Sequence, residues 1–432
     1  MIIQEIQSLL LNNFDTYKSR LIANQKQLIK NVDEEHIFIS LLDEKSLIEK
    51  IDQIASKSID DYPLLGVPFA VKDNIDVVGF ATTAGCKAYE YIPKVSAFSV
   101  QQLEKAGAIC IGKTNMDQFA TGLVGTRSPY GIAKNYFNED YIPGGSSSGS
   151  ASVVAAGYVT FSLGTDTAGS GRVPAAFQNI IGFKSSKGIV SCSGVVPACK
   201  SLDCVSIFAN RLKDVEHILS IVSVYDANDP YSRNNNQFDL KKEIKIAIPL
   251  KANLKFFGNE AYEKAYANFI TSLSDKNYSL EQIDFTPMFE AAKLLYEGPW
   301  LSERYHAVGE FMEQHATEVN TTVLKVVSDG KNNLATSYFD AEYKLKALKK
   351  QFDYYTESYD AFVMPTVGTI YTKEEIKENP IGLNTNLGYY TNFMNLLDCT
   401  AVALPVSITE NKLPFGITLF APALNDKNLL ST

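Results

Sequence analysis

Basic clusters, metal-ligand spacings and membrane-length apolar runs are all missing from this 432-residue chain. Lysine and arginine number 40 against 49 acids, a net charge of −9. No Lys/Arg cluster stands out, so the electrostatic footprint of a nucleic-acid binder is lacking, and the acidic excess mainly favours solubility. The four histidines (His36, His217, His306, His315) are scattered without ligand spacing, so no metal site is expected. The six cysteines (Cys86, Cys110, Cys192, Cys199, Cys204, Cys399) form no CxxC pair, and most sit in apolar contexts such as AICIG and LDCVSIF. They read as buried, reduced thiols. No apolar run reaches the ~18 residues needed to span a bilayer. The N-terminus, MIIQEIQSLLLNNFDTYKSRL, has early acids and lacks the basic region and small-residue cleavage site of a signal peptide. The expected location is the cytoplasm, with neither membrane nor nucleic acid as partner.

What is present is the composition of a soluble globular protein, with 45% hydrophobic and 21% charged residues. Residues 1–30 carry the periodicity of an amphipathic helix or helix pair. IFISL (37–41) reads as a strand and 44–58 as a helix. VPFAV (67–71) is a buried strand pattern that runs into Lys72-Asp73-Asn74. A helix at 97–108 and the strand ICIG follow. Residues 114–122, TNMDQFATG, read as a further helix capped by Thr114. Helix alternating with short apolar strand points to an α/β layered fold. GSASVVAAGYV reads as a buried helix, its capping assigned to Ser147, Ser148 and Ser150. Strands are expected at TFSLGTD, around IVSCSGVVPA and at VSIFA, and a helix at 211–225. Residues 226–242 form a polar connection, 243–250 a strand and 259–276 a helix. From 285 to 358 the chain is almost wholly helical, with a break at Gly298-Pro299. YDAFVMPTVG, TAVALPVSI and LPFGITLFAP return to strand, and LNDKNLLST begins a helix. The domain reading is one unit, 1–432. It comprises an N-terminal helical part (1–58), a core (60–225) and a helical insertion (285–358) over the same sheet.

Two glycine- and serine-rich turns, Gly144–Ser150 and Gly164–Gly171, bracket the apolar stretch 151–163. Such turns let backbone N–H groups approach a ligand closely. A serine nucleophile needs a base and donors for the developing oxyanion. If VPAAF starts a helix just after Ser170, the preceding amides converge on an anion site. No histidine is near Ser170 in sequence, although a distant one could fold in. The other candidate base is Lys72, because burial favours the neutral amine. A hydroxyl between Lys72 and Ser170 would relay the proton. Asp166 and Arg172 are expected to pair and stiffen the loops.

Lys72 in VKDN, the run PGGSSSGSA and the run GTDTAGSGRVPAAF together resemble the amidase signature family. Ser146 and Ser170 stand 24 residues apart, as the family pattern requires. The resemblance covers the chain from about residue 60 onward. It implies an α/β fold built on a large mixed β-sheet covered by helices on both faces. It also implies a Ser–cisSer–Lys triad with Ser170 as nucleophile, Ser146 as bridging serine after a cis peptide bond, and Lys72 as base. The amides of Thr167, Ala168, Gly169 and Ser170 would form the oxyanion hole. No cofactor is required.

Within that family, the runs at 171–177, 195–209 and 294–308 resemble the allophanate hydrolases. They look unlike the amidase-type chain of the glutamyl-tRNA amidotransferases. The implied substrate is a small anionic amide, allophanate, cleaved with release of ammonia. Tyr296 and Arg304 would hold its carboxylate end, Arg304 through its rigid fork of donors, with Gly122 as a backbone contact. Packing is the reading kept for Trp300. A general aliphatic or aryl amidase, and an amidotransferase-like glutaminase, are the competing functions. Two departures from the family pattern stand out. Phe183-Lys184-Ser185-Ser186 replaces the usual Leu-Lys-Pro-Thr, and the further C-terminal domain of allophanate hydrolases is expected to be absent. A homodimer is the assembly carried over from such enzymes.

Overall fold

The computed structural model describes residues 1–234, 244–275 and 278–431. Eleven strands form one mixed sheet: β1 (Phe38–Leu41), β2 (Pro68–Lys72), β3 (Ile109–Thr114), β4 (Phe161–Asp166), β5 (Ile181–Lys184), β6 (Cys204–Ala209), β7 (Lys245–Pro249), β8 (Ser279–Ile283), β9 (Ala361–Pro365), β10 (Cys399–Ile408) and β11 (Pro414–Pro422). Their order is β1-β3-β2-β4-β6-β5-β10-β11-β9-β7-β8. β2 is parallel to both β3 and β4, β7 to both β8 and β9, and the pairs between β4 and β9 are antiparallel.

Sixteen α-helices accompany the sheet among the described residues: α1 (Ile3–Asn12), α2 (Phe14–Glu35), α3 (Glu44–Ile54), α4 (Phe98–Lys105), α5 (Ser148–Ala155), α6 (Val173–Phe177), α7 (Leu212–Val222), α8 (Glu260–Asp275), α9 (Thr286–Glu297), α10 (Trp300–Gln314), α11 (Thr321–Ser328), α12 (Ala335–Thr356), α13 (Lys373–Glu378), α14 (Gly382–Leu387), α15 (Phe393–Leu396) and α16 (Asp426–Ser431).

Side chains of a strand alternate between faces, and the core follows that period. On β9, Ala361 and Val363 join one apolar cluster while Phe362 and Met364 join another. On β11, Ile417 and Leu419 face the first, which holds Tyr262 and Tyr266 of α8, and Phe420 faces the second, which holds Leu345, Leu348 and Phe352 of α12. Both faces are therefore covered, and the central strands read as near-continuous apolar runs for that reason. The helical stretch α9–α12 lies between β8 and β9. α9 stops at Glu297 and α10 starts at Trp300, because Pro299 has no N–H to extend a helix.

Several local expectations fail. Residues 114–122 are not a helix: Thr114 ends β3, and only a three-residue 3-10 turn (Gln118–Ala120) follows, with Phe119 and Ala120 at φ 50° and 52°. The Asp117 carboxylate caps no helix. It accepts the amides of Gly125 and Arg127 at 3.0 and 2.9 Å and so curls the segment into a buried loop. IVSCSGVVPA forms no strand beyond a single bridge between Val195 and Ile75. VPAAF, by contrast, is the short helix α6 expected just after Ser170. Ser147, Ser148 and Ser150 do not cap α5 with their side chains. Their hydroxyls donate instead to the carbonyls of Thr165, Asn115 and Leu163, stitching α5 to β4 and to the segment after β3. The strands β5 and β8 and the short helices α13–α15 had no periodic signal of sufficient length. Part of the polar connection at 226–242, residues 235–242, lies outside the described residues, as do the ends of the expected elements at 243, 276 and 432.

Candidate active site

β2 delivers Lys72 as its last residue, with no solvent exposure. Nζ reaches Ser146 Oγ at 2.7 Å and Thr165 Oγ1 at 2.7 Å. Burial strips water from the amine and pulls its pKa down from 10.5 to about 7, although the buried carboxylates of Asp117, Asp203 and Asp166 oppose the shift. A neutral amine in this position can accept a proton from Ser146 while still donating one to Thr165. The sequence supplied Lys72 and Ser146 as a pair and missed Thr165, which lies inside the second glycine-rich turn. The signal was there in principle: an amine at a buried strand end needs more than one acceptor.

Ser146 follows a cis peptide bond from Gly145. Its carbonyl accepts the amide of Asp117 at 3.1 Å, and the amide of Gly145 donates to the carbonyl of Leu123 at 2.9 Å. Ser146 and the residue before it are thus both tied to the loop that follows β3. Gly145 has no room for a side chain, since a Cβ there would lie 2.1 Å from Asp117 Oδ2.

β4 ends at Asp166, and the turn to α6 carries Thr167, Ala168, Gly169 and Ser170. Asp166 and Arg172 pair as expected, with no exposure and Nε–Oδ2 and Nη2–Oδ1 distances of 2.8 and 3.0 Å. Burial works against the Asp166 charge, yet the guanidinium beside it holds the carboxyl below its ordinary range. The same carboxylate accepts the amides of Gly169 at 2.7 Å and Gly171 at 3.0 Å. Gly169 therefore does not present a free amide, contrary to expectation. It shapes the turn at φ 130°, where a Cβ would meet the Thr391 side chain at 2.5 Å. Among the described residues, the amides of Thr167, Ala168 and Ser170 have no acceptor within the protein. These three N–H groups are free to donate to a bound group. Thr167 is braced by its hydroxyl, which donates to Asp203, and Asp203 also accepts the amides of Ala198 and Cys199. Ser170 is 3% exposed. Its hydroxyl is not hydrogen-bonded to Ser146 among the described residues, so this last step of the relay is not drawn in the structure.

Arg304 of α10 is 2% exposed and makes no ion pair with the neighbouring Glu303 or Glu297. Glu303 turns away and accepts from the amide and hydroxyl of Ser201. Arg304 donates from Nη1 to Thr121 Oγ1 at 3.1 Å, and its guanidinium lies 5.7 Å from the centre of the Tyr296 ring. Gly122 follows Thr121 directly and adopts φ 152°. Its backbone is pressed against Asp117, whose Oδ2 would lie 2.7 Å from a Cβ. The structure therefore gathers Gly122, Tyr296 and Arg304 around Thr121. Arg304 also acts on the first centre, since its positive charge helps depress Lys72. No group of His, Cys, Asp and Glu side chains among the described residues is arranged to hold a metal ion. All six cysteines are free. None of the described helices is long and apolar enough to cross a membrane.

The comparisons with known proteins agree with this geometry. A family model described as Amidase matches residues 22–430. The urea amidolyase of Saccharomyces cerevisiae is 43% identical over 92% of this chain, and the chain spans 22% of that protein's length. A glutamyl-tRNA(Gln) amidotransferase chain of Methanosarcina acetivorans is 32% identical, covering 95% of this chain and 94% of its own. Among solved structures, Kluyveromyces lactis allophanate hydrolase superposes with a TM-score of 0.94 at 40% identity, covering 99% of this chain and 71% of that one. A buried lysine on a serine after a cis bond, a turn of unspent amides and a family model spanning nearly the whole chain converge on one statement: this chain belongs to the amidase family.

Proposed function

We propose that the chain is an amidohydrolase that cleaves allophanate and releases ammonia. The observation that carries this reading is the pairing of two buried features. One is an amine held 2.7 Å from Ser146 Oγ with its pKa drawn down to about 7. The other is a buried guanidinium, Arg304, that no carboxylate among the described residues neutralises. The first suits proton transfer at neutral pH; the second suits a planar carboxylate. The names of the relatives, urea amidolyase and allophanate hydrolase, support the same choice.

In this reading Ser170 Oγ attacks the terminal amide carbonyl, and its proton passes through Ser146 to Lys72. Contacts of this kind commonly tighten only when substrate is bound. The amides of Thr167, Ala168 and Ser170 meet the oxyanion. The C–N bond breaks, the proton held by Lys72 returns through Ser146, and ammonia leaves. Water then attacks the acyl ester on Ser170 by the same path, giving N-carboxycarbamate. Tyr296, Arg304 and the backbone at Gly122 hold the carboxylate end. A cytoplasmic location and a homodimer belong to the same proposal.

The test is ammonia release from allophanate, acetamide, glutamine and malonamide, for wild type and Arg304→Ala. Allophanate is expected to be the preferred substrate of wild type, and Arg304→Ala to lose that preference. Turnover of glutamine or acetamide with allophanate ignored would refute the substrate.

A further inference from the structure

We propose that Arg127 is a second specificity-determining guanidinium at the recognition end, sharing Thr121 with Arg304 and binding the carboxylate of the substrate. The inference rests on the anionic-amide reading and goes beyond it in residue and in role.

Buried arginines are normally paired, because removing the charge from water is costly. Arg172 obeys that rule through Asp166. Arg127 and Arg304 do not. Arg127 is 4% exposed and gives Nη1 to the carbonyl of Thr121 at 3.0 Å and Nη2 to the carbonyl of Pro380 at 2.6 Å. Its Nε is buried without any partner, and so is the Nε of Arg304. Among the described residues, neither guanidinium lies within ion-pair distance of a carboxylate. Asp117, the acid with most influence on Arg127, is occupied by the amides of Gly125 and of Arg127 itself. The two cations grip the same residue from two sides, Arg127 through the Thr121 carbonyl and Arg304 through its hydroxyl.

Beside Arg127 is a cavity of about 140 Å³, walled by Thr121, Arg127, Tyr296, Leu301 and Asn384, with the exposed Asp329 at its rim; Arg304 does not line it and adjoins it through Thr121 and Tyr296. Its size admits a ligand of few heavy atoms, and its charge is positive where it is buried. A small carboxylate supplies what is missing: negative charge beside a buried cation that has no ion pair, which also relieves the repulsion between the arginines. A contact of this kind is made equally to substrate and to transition state, so its loss shows in KM more than in kcat.

The experiment compares allophanate with biuret, which replaces the carboxylate by a carboxamide of the same shape. For Arg127→Gln, KM for allophanate is expected to rise about 10- to 100-fold, as for a lost charge-assisted hydrogen bond. The kcat for allophanate and the KM for biuret are expected to hold within about threefold, and Arg127→Lys to recover part of the discrimination. An equal loss on both substrates overturns the proposal, since it marks a residue that only holds the Pro380 carbonyl in place. An unchanged ratio also overturns it. If Arg127→Gln does not fold, Arg127→Lys decides alone: a higher KM for allophanate with biuret unaffected supports the role, and parallel changes refute it. Wild type that treats the two substrates alike removes the anionic-amide reading itself. A wild-type preference that survives Arg127→Gln removes only Arg127.

Discussion

The proposed relay around Lys72 and the proposed recognition end around Thr121 are both buried, but their polar groups are satisfied in different ways. At the relay the protein supplies the partners of the charged side chains, two hydroxyls for Lys72, two amides and a guanidinium fork for Asp166, and a hydroxyl and two amides for Asp203, and leaves the backbone amides of Thr167, Ala168 and Ser170 without an acceptor. At the recognition end two guanidiniums share one threonine, and the Nε of each has no partner. The first arrangement holds dipoles ready for the charge that develops during reaction. The second leaves two buried cations without an ion pair, which in the proposed reading the substrate carboxylate completes. The difference indicates where rigidity is built in and where the ligand is needed to finish the structure.

The largest effect tests the relay. Ser170→Ala should lower kcat/KM for the preferred amide on the order of 10⁴-fold or more, with unchanged circular dichroism, as for loss of a nucleophile. Retained turnover would place the chemistry elsewhere. Next, Asp166→Ala leaves Arg172 buried and unpaired, which should cost about 3–5 kcal/mol in urea unfolding. The same change at the recognition end bears on the contrast directly. Arg304→Gln removes a charge that has no carboxylate partner, so stability should fall less than for Asp166→Ala while allophanate turnover drops about 100-fold or more. Equal stability losses would erase the distinction between the two regions. The smallest effect is expected from Thr165→Val, which deletes one of the two hydrogen bonds to Lys72. A loss of about tenfold in kcat, with KM unchanged, is the outcome for a residue that orients the base. A change in KM alone would assign Thr165 to binding.

The same contrast explains what the sequence revealed. Lys72 and Ser170 lie in or beside runs whose glycines and serines have no role in an ordinary core, so they stood out from the residues, while Ser146 as the partner of Lys72 came from the family resemblance and is found 2.7 Å from its amine. The alternation of apolar strand and helix likewise exposed the layered sheet. What stayed hidden depends on distant contacts. Residues 114–122 looked like a helix capped by Thr114 because of their spacing, whereas the amides of Gly125 and Arg127 bend the chain around Asp117. Gly169 looked like an oxyanion donor until Asp166 was seen to hold its amide. Arg127 lies between a glycine-rich loop and SPYG with no local signal, and its lack of a partner is visible only once Thr121, Pro380 and α10 surround it. The short strands β5 and β8 escaped because four or five residues carry too little periodicity.

The central claim is that Lys72 is the base and acts as a neutral amine. The direct measurement is the pH dependence of kcat/KM on a neutral amide that wild type turns over, which avoids titration of the substrate itself. Protonated Lys72 cannot accept a proton, so the rate should climb about tenfold per pH unit below a midpoint near 7, the value to which burial draws this amine, and level off above it. A profile flat from about pH 6 to 8, or one still rising toward the ordinary lysine value of 10.5, would contradict it.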